Sequence, residues 1–329
     1  MSRNLITDVA GLTVGNASDA RVATGVTAVV FDTPATASVA VLGGGPGGRE
    51  TDLLSPEMTV QQVDAILLSG GSAFGLAAAD GAMIELAARG RGFAVGDARI
   101  PIVPQAICFD MMNGGDKNWG DAPPYRDLGR QAVATAGVDF ALGSHGGGLG
   151  ATTANLKGGL GSASAVTASG HTVGAIVVVN AIGSVLVNDG PHFWAAPFER
   201  DGEYGGLGWP AQVSAANLKT PLKGVIANTT IAVVATDAVL SKAQARRIAL
   251  SAHDGFSRAI RPAHTPLDGD IVFGAATGKR ALGDPVMELT ELCIYAADVM
   301  ARAVARGVHA ATALPFPGAL PAWRDRFGG

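Results

Sequence analysis

The chain has 329 residues, enough to bury a sizeable core in one large α/β domain or two small ones. Lysine and arginine total 24 against 28 aspartates and glutamates, a formal net charge of −4, so no basic field exists to attract nucleic acid. No apolar run reaches the ~18 residues of a membrane span, and charged residues make up only 16% of the chain, against about 25% in ordinary domains.

Residues 1–8 hold no apolar signal-peptide core, and Cys108 and Cys293 sit far apart in apolar contexts. Reduced, packed thiols in a cytoplasmic protein are expected. Leu12–Val14, Val26–Phe31 and Ser38–Leu42 are apolar runs separated by Gly, Asn and Asp, and read as three opening strands. A glycine tract at 43–48 marks a turn or a close backbone approach. Val63–Leu68 is a further strand, broken by Ser69-Gly70-Gly71-Ser72, and a helix with small apolar faces should run to about Ala88. Ala94–Val95 and Ile100–Val103 read as short extended pieces. Asp110–Arg130 is polar and turn-rich, a surface excursion that returns through a short helix to Gly137. A second glycine tract, Gly146–Gly150, precedes Thr152–Gly159. Val173–Val179 and Ser184–Val187 read as strands joined by a hairpin or bulge at Asn180–Gly183, and Asn188 to about Lys223 as a long irregular segment.

The stretch Gly224–Asp237 follows, and it opens oddly for a buried strand. Ile231–Val234 is an apolar run, yet Asn228-Thr229-Thr230 puts an amide and two hydroxyls at its entry. One reading is an Asn/Thr turn feeding a strand. The other is a self-cleavage site, in which Thr229 attacks the preceding carbonyl and becomes a new N-terminus carrying nucleophile and base in one residue. Beyond it, Ser241 with Gln244 is a capping-box pattern for a helix that Pro262 ends. His264-Thr265-Pro266-Leu267-Asp268-Gly269-Asp270 is a tight turn into a strand at Ile271–Phe273. Asp268 and Asp270, two apart at a strand entry, would face the same side, as two carboxylates in one site or as a hydrophilic turn. Asp284-Pro285 starts a second long helix, and residues 314–329 should lie on the surface. Strands interleaved with helices, many apolar on both faces, indicate stacked sheets covered by helices.

Other chemical signals are weak. His145-Gly146-Gly147-Gly148 is similar to an esterase oxyanion loop, but the matching Gly-x-Ser-x-Gly is missing. Gly274–Arg280 has one residue too few between its glycines for a phosphate loop, and the six histidines show no metal-ligand spacing. His253 reads as a structural histidine. No cofactor or metal is expected.

Six motifs stand in order: Leu12-Thr13-Val14-Gly15, Gly47-Gly48-Arg49-Glu50-Thr51, Leu68-Ser69-Gly70-Gly71-Ser72-Ala73-Phe74-Gly75, Val179-Asn180-Ala181, Asn228-Thr229-Thr230 and Thr265–Asp270. Through them nearly the whole chain resembles a family of self-processing hydrolases: the β-peptidyl aminopeptidases, D-aminopeptidases and 6-aminohexanoate (nylon) oligomer hydrolases. The aminopeptidase branches usually carry Ser at the nucleophile. Thr229 with an Asp pair is similar to the nylon-oligomer branch. The resemblance implies an αββα sandwich of the N-terminal-nucleophile type, cleaved between Asn228 and Thr229 into segments 1–228 and 229–329 of one structural domain. It also implies that Thr229, Asp268 and Asp270 form the catalytic triad. Asn180 is implied as the oxyanion donor and Lys157 as a lysine near the nucleophile. Phe109 lies near the place of a tyrosine used by some members.

The expected activity is hydrolysis of linear ω-amino-acid oligomers through an acyl-enzyme. The Thr229 α-amino group, with an ordinary pKa of about 7.7–8.0, would act as base. Lys157 would lower that pKa by like-charge repulsion. The alternatives are an aminopeptidase for β- or D-amino-acid N-termini, an ornithine-type acetyltransferase and a non-catalytic small-molecule binding protein. A small-molecule amide is the expected partner. A homo-oligomer of processed protomers, a tetramer by the resemblance, is the expected assembly.

Overall fold

The computed structural model describes residues 2–219, 221–224 and 228–328. Residues 225–227, at the start of the central stretch, lie outside the described residues. The strands are β1 (Leu12–Asp19), β2 (Thr24–Val41), β3 (Gly48–Arg49), β4 (Gln62–Ser69), β5 (Phe93–Val95), β6 (Ala98–Ile100), β7 (Gln105–Ile107), β8 (Gly159–Val166), β9 (Thr172–Asn180), β10 (Thr229–Ala238) and β11 (Ile271–Arg280). The helices are α1 (Ala78–Ala88), α2 (Tyr125–Ala134), α3 (Lys242–Ala259), α4 (Met287–His309) and α5 (Trp323–Phe327).

Hydrogen bonds run continuously through the order β3-β7-β4-β2-β11-β10-β9-β8, with β1 also on β2. The continuity comes from β2, which belongs to two sheets. Its first half pairs with β1 and β4, and its Thr36–Val41 end pairs with β11. Side-chain alternation then makes four layers. Ile231, Val233 and Ala235 of β10 face Val29, Phe31, Ile66 and Leu68 in a core between the sheets. Ala232 and Val234 face the opposite way, toward Ile248, Phe256, Met300 and Val304 of α3 and α4. Val26, Ala28, Ala65 and Leu67 meet α1 and α2 on the outer face of the other sheet. Residues two apart point to one face of a strand, so each central strand feeds two cores. The fold is the αββα sandwich.

Several elements differ from the sequence reading. The separate strands at Val26–Phe31 and Ser38–Leu42 are one strand, β2, bent between the sheets. Ser184–Val187 is not a strand of the sheet. Its backbone bonds go to Arg261 and His192, and the hairpin partner of β9 is β8. The Asp110–Arg130 excursion is anchored in the interior at both ends, for Asp110 and Tyr125 are buried. The C-terminal tail is not purely surface, because Trp323 of α5 is buried and stacks on Phe193. The capping box is as read: Gln244 N donates to the Ser241 side chain, and Ser241 N donates to Gln244 Oε1 at 2.9 Å.

Candidate active site

Strand β10 delivers Thr229 to the site. Antiparallel pairing with β9 sets Thr229 opposite Asn180, and parallel pairing with β11 brings the Asp268–Asp270 turn alongside. Asn228 bridges to Asp268 just before β10 starts. The Asn228 carbonyl oxygen accepts two hydrogen bonds, from Gly269 N at 2.8 Å and from Thr229 Oγ1 at 2.5 Å. Gly269 is required there: a Cβ would lie 2.7 Å from Thr229 Oγ1 and 2.6 Å from Gly45 O. The first glycine tract braces the same turn, with Gly45 N donating to Asp268 O at 2.8 Å.

Both aspartates are buried and fully engaged. Asp270 Oδ1 accepts from Thr230 N at 2.9 Å, and Oδ2 accepts from His264 N and Nδ1, each at 2.9 Å. Asp268 Oδ2 accepts from Thr265 N and Oγ1 at 3.0 and 2.8 Å, and Oδ1 accepts from Ile182 N at 3.3 Å. Burial, reinforced by the neighbouring Asp270 carboxylate, raises the Asp268 pKa. Burial alone would lower that of His264, but its bond to Asp270 and that carboxylate's charge outweigh burial and raise it.

Asn180 is held at both ends of its amide. Nδ2 donates to Phe109 O at 2.9 Å, and Oδ1 accepts from Thr152 N at 3.0 Å and Lys223 Nζ at 3.1 Å. Lys157 does not hydrogen-bond Thr229. Its ammonium is buried and donates to the carbonyls of Gly148, Ala151 and Gly158 at 2.8–2.9 Å. Burial pulls its pKa down to about 7, against the Asp110 carboxylate. The second glycine tract thus supplies an acceptor for Lys157.

A cleft of about 410 Å³ opens beside Thr229, walled by Pro46, Ala73, Leu76, Ile107, Phe109 and Leu267. None of its described lining residues carries a charge. A second cleft, of about 460 Å³, is lined by Asn113, Thr152, Lys157 and Lys223 together with apolar Met112 and Leu314. The structure therefore brings together Asn228, Thr229, Asn180, Asp268 and Asp270, and engages the Lys157 ammonium with backbone carbonyls and not with Thr229. It adds His264, Thr265, Gly269 and Lys223. The first three lie in the same turn as the Asp pair, where polar side chains signal His264 and Thr265 and the glycine between the two aspartates signals Gly269. Lys223 lies in an irregular segment with no periodic signal.

The pattern of peptidase family S58 matches residues 4–319 of this sequence. The chain belongs to that family. As an S58 peptidase it is a peptide-bond hydrolase. It is 46% identical to uncharacterized aminopeptidases of Mycobacterium bovis and Mycobacterium tuberculosis, over 99% of this chain and 98% of theirs. A 6-aminohexanoate-oligomer endohydrolase of Kocuria sp. is more distant, at 27% identity over 82% of this chain and 74% of its own. Among solved structures, a Burkholderia sp. beta-aminopeptidase superposes with a TM-score of 0.70 at 23% identity, covering 98% of this chain and 91% of its own. The L-aminopeptidase D-Ala-esterase/amidase of Ochrobactrum anthropi, described as a variant of the Ntn hydrolase fold, gives 0.70 at 20%, with 99% and 94% covered. The S58 fold here is therefore that of the N-terminal-nucleophile hydrolases.

Proposed function

We propose that the chain cleaves itself between Asn228 and Thr229, and that the Thr229 hydroxyl then hydrolyses small linear amides of the 6-aminohexanoate type. The observation that carries this reading is the pair of donors on the Asn228 carbonyl oxygen. Gly269 N–H is already aimed at the oxygen that becomes negative when Thr229 Oγ1 attacks, and the attacking hydroxyl is held against the same peptide group. Attack gives a tetrahedral intermediate. Its collapse passes the acyl group from nitrogen to oxygen, and water opens the ester to leave a free Thr229 amine.

In turnover that amine takes the hydroxyl proton as Thr229 attacks the substrate carbonyl, then returns it to the leaving amine. Asp270 fixes the strand at Thr230 N, and Asp268 fixes the turn that carries Gly269. Asn180, across the strand pair, is the donor for the substrate oxyanion. The uncharged cleft beside Thr229 suits a methylene chain, which favours ω-amino-acid oligomers. The aminopeptidase reading for β- or D-amino-acid N-termini is supported by the 46% identity to aminopeptidases. Peptidase membership favours hydrolysis over acetyl transfer.

The test is release of amine from 6-aminohexanoate dimer and trimer, and from β-alanyl and D-alanyl p-nitroanilides, by wild type and Thr229→Ala. The reading expects turnover of the 6-aminohexanoate oligomers by wild type only. Preference for the anilides would favour the aminopeptidase. Processed wild type that cleaves none of them, or Thr229→Ala that matches wild type, would overturn the assignment.

A further inference from the structure

We infer that Lys223 is a positioning residue for catalysis: its ammonium fixes and polarises the Asn180 amide that donates to the substrate oxyanion. The inference rests on the turnover mechanism proposed above. An asparagine side chain has an acceptor end and a donor end of nearly equal size, so a buried one is oriented only by its partners. At Asn180 the acceptor end is claimed twice, by Thr152 N at 3.0 Å and Lys223 Nζ at 3.1 Å. The donor end reaches Phe109 O at 2.9 Å, and Phe109 is a wall of the cleft beside Thr229. Nδ2 carries two hydrogens, and the Phe109 carbonyl uses one, leaving the other for a substrate oxygen.

Of the two partners on the acceptor end, only Lys223 can carry charge. A cation on Oδ1 withdraws electron density through the amide and makes Nδ2–H a stronger donor, and charge-assisted bonds are the stronger class. Lys223 is itself held in place. Its backbone N donates to Ile182 O at 2.9 Å, and Nζ also reaches Thr152 O at 3.3 Å. Lys223 is half-buried, and desolvation of its ammonium lowers its pKa to about 8, with the Asp110 and Asp268 carboxylates acting in the opposite sense. The carbonyl attacked in self-cleavage has a different donor, Gly269 N. Lys223 therefore serves turnover, and processing is an internal check on folding.

The experiment follows processing by mass and turnover by kcat and KM on the 6-aminohexanoate trimer, in wild type, Lys223→Met, Lys223→Arg, Asn180→Ala and the Asn180→Ala/Lys223→Met double variant. Lys223→Met should be processed, should lose roughly tenfold or more in kcat, the scale of a hydrogen bond to a charged group, and should keep its KM within about twofold. Lys223→Arg should recover part of the loss. In the Asn180→Ala background, Lys223→Met should cost nothing further. An unchanged kcat in Lys223→Met would overturn the inference while leaving the hydrolase reading intact. So would a further tenfold loss on top of Asn180→Ala, or loss of processing in both Lys223 variants. Absence of turnover in processed wild type would instead overturn the hydrolase reading itself.

Discussion

At Thr229, the hydroxyl that is to attack and the carbonyl it is to attack are already in contact, and the groups around them are buried carboxylates with every oxygen engaged. Asp268→Ala and Asp270→Ala should therefore each slow processing or turnover by orders of magnitude with much smaller changes in melting temperature; rates equal to wild type in both would reduce the turn to a structural feature. His264 adds a pH dependence. It faces Asp270 through Nδ1 at 2.9 Å, His253 O through Nε2 at 3.4 Å, the His253 ring at 4.8 Å and the Asp268 charge. Its folded pKa lies above the unfolded value of about 6.5, so its contribution to stability is fully present below that value and is lost as pH rises through the folded pKa. Thermal melts of wild type and His264→Gln should differ most in mildly acidic buffer and converge as pH rises; a constant difference across pH would contradict this account. The Asp pair and Asn180 were legible as motifs. Lys223 was not, because a lysine in an irregular segment gives no sign of which buried amide it will meet.

Strand β8 shows where reading by propensity stops. Gly159-Leu160-Gly161-Ser162-Ala163-Ser164-Ala165-Val166 has one β-branched residue, and its Ser/Ala alternation is carried by side chains too small and too weakly contrasted to announce a strand. Its small residues admit α4: a Cβ on Gly161 would sit 1.8 Å from Ala303 O. Ser184–Val187 fails in the opposite sense, being apolar and buried while its backbone groups pair with loops. Gly161→Val separates the two effects. Intrinsic propensity favours valine in a strand, whereas overpacking typically costs about 1–3 kcal/mol. The denaturation midpoint should fall, and a raised midpoint would show that β8 is held by its own preference and not by contact with α4. The capping box and the central strand β10, by contrast, are local patterns, and both stand where the sequence puts them.

Across the whole molecule, Thr229 stands at the start of a strand whose two faces feed two different cores. No helix among the described residues is long and apolar enough to cross a membrane. The β5–β6 hairpin leaves Phe93, Val95 and Ile100 exposed, away from the main sheet. With so little charge on the chain, we propose that processed protomers associate as a homo-oligomer, a tetramer by the family resemblance. Light scattering at several concentrations should give a mass several times that of one protomer; a protomer mass unchanged as concentration rises would exclude the assembly. Self-cleavage would leave Thr229 as a new N-terminus. Purified protein run on a denaturing gel, with N-terminal sequencing of the smaller band, should give two fragments, the smaller beginning Thr229-Thr230-Ile231-Ala232, and Thr229→Ala should give one intact chain. Wild-type protein that stays uncleaved and is fully active would contradict the account.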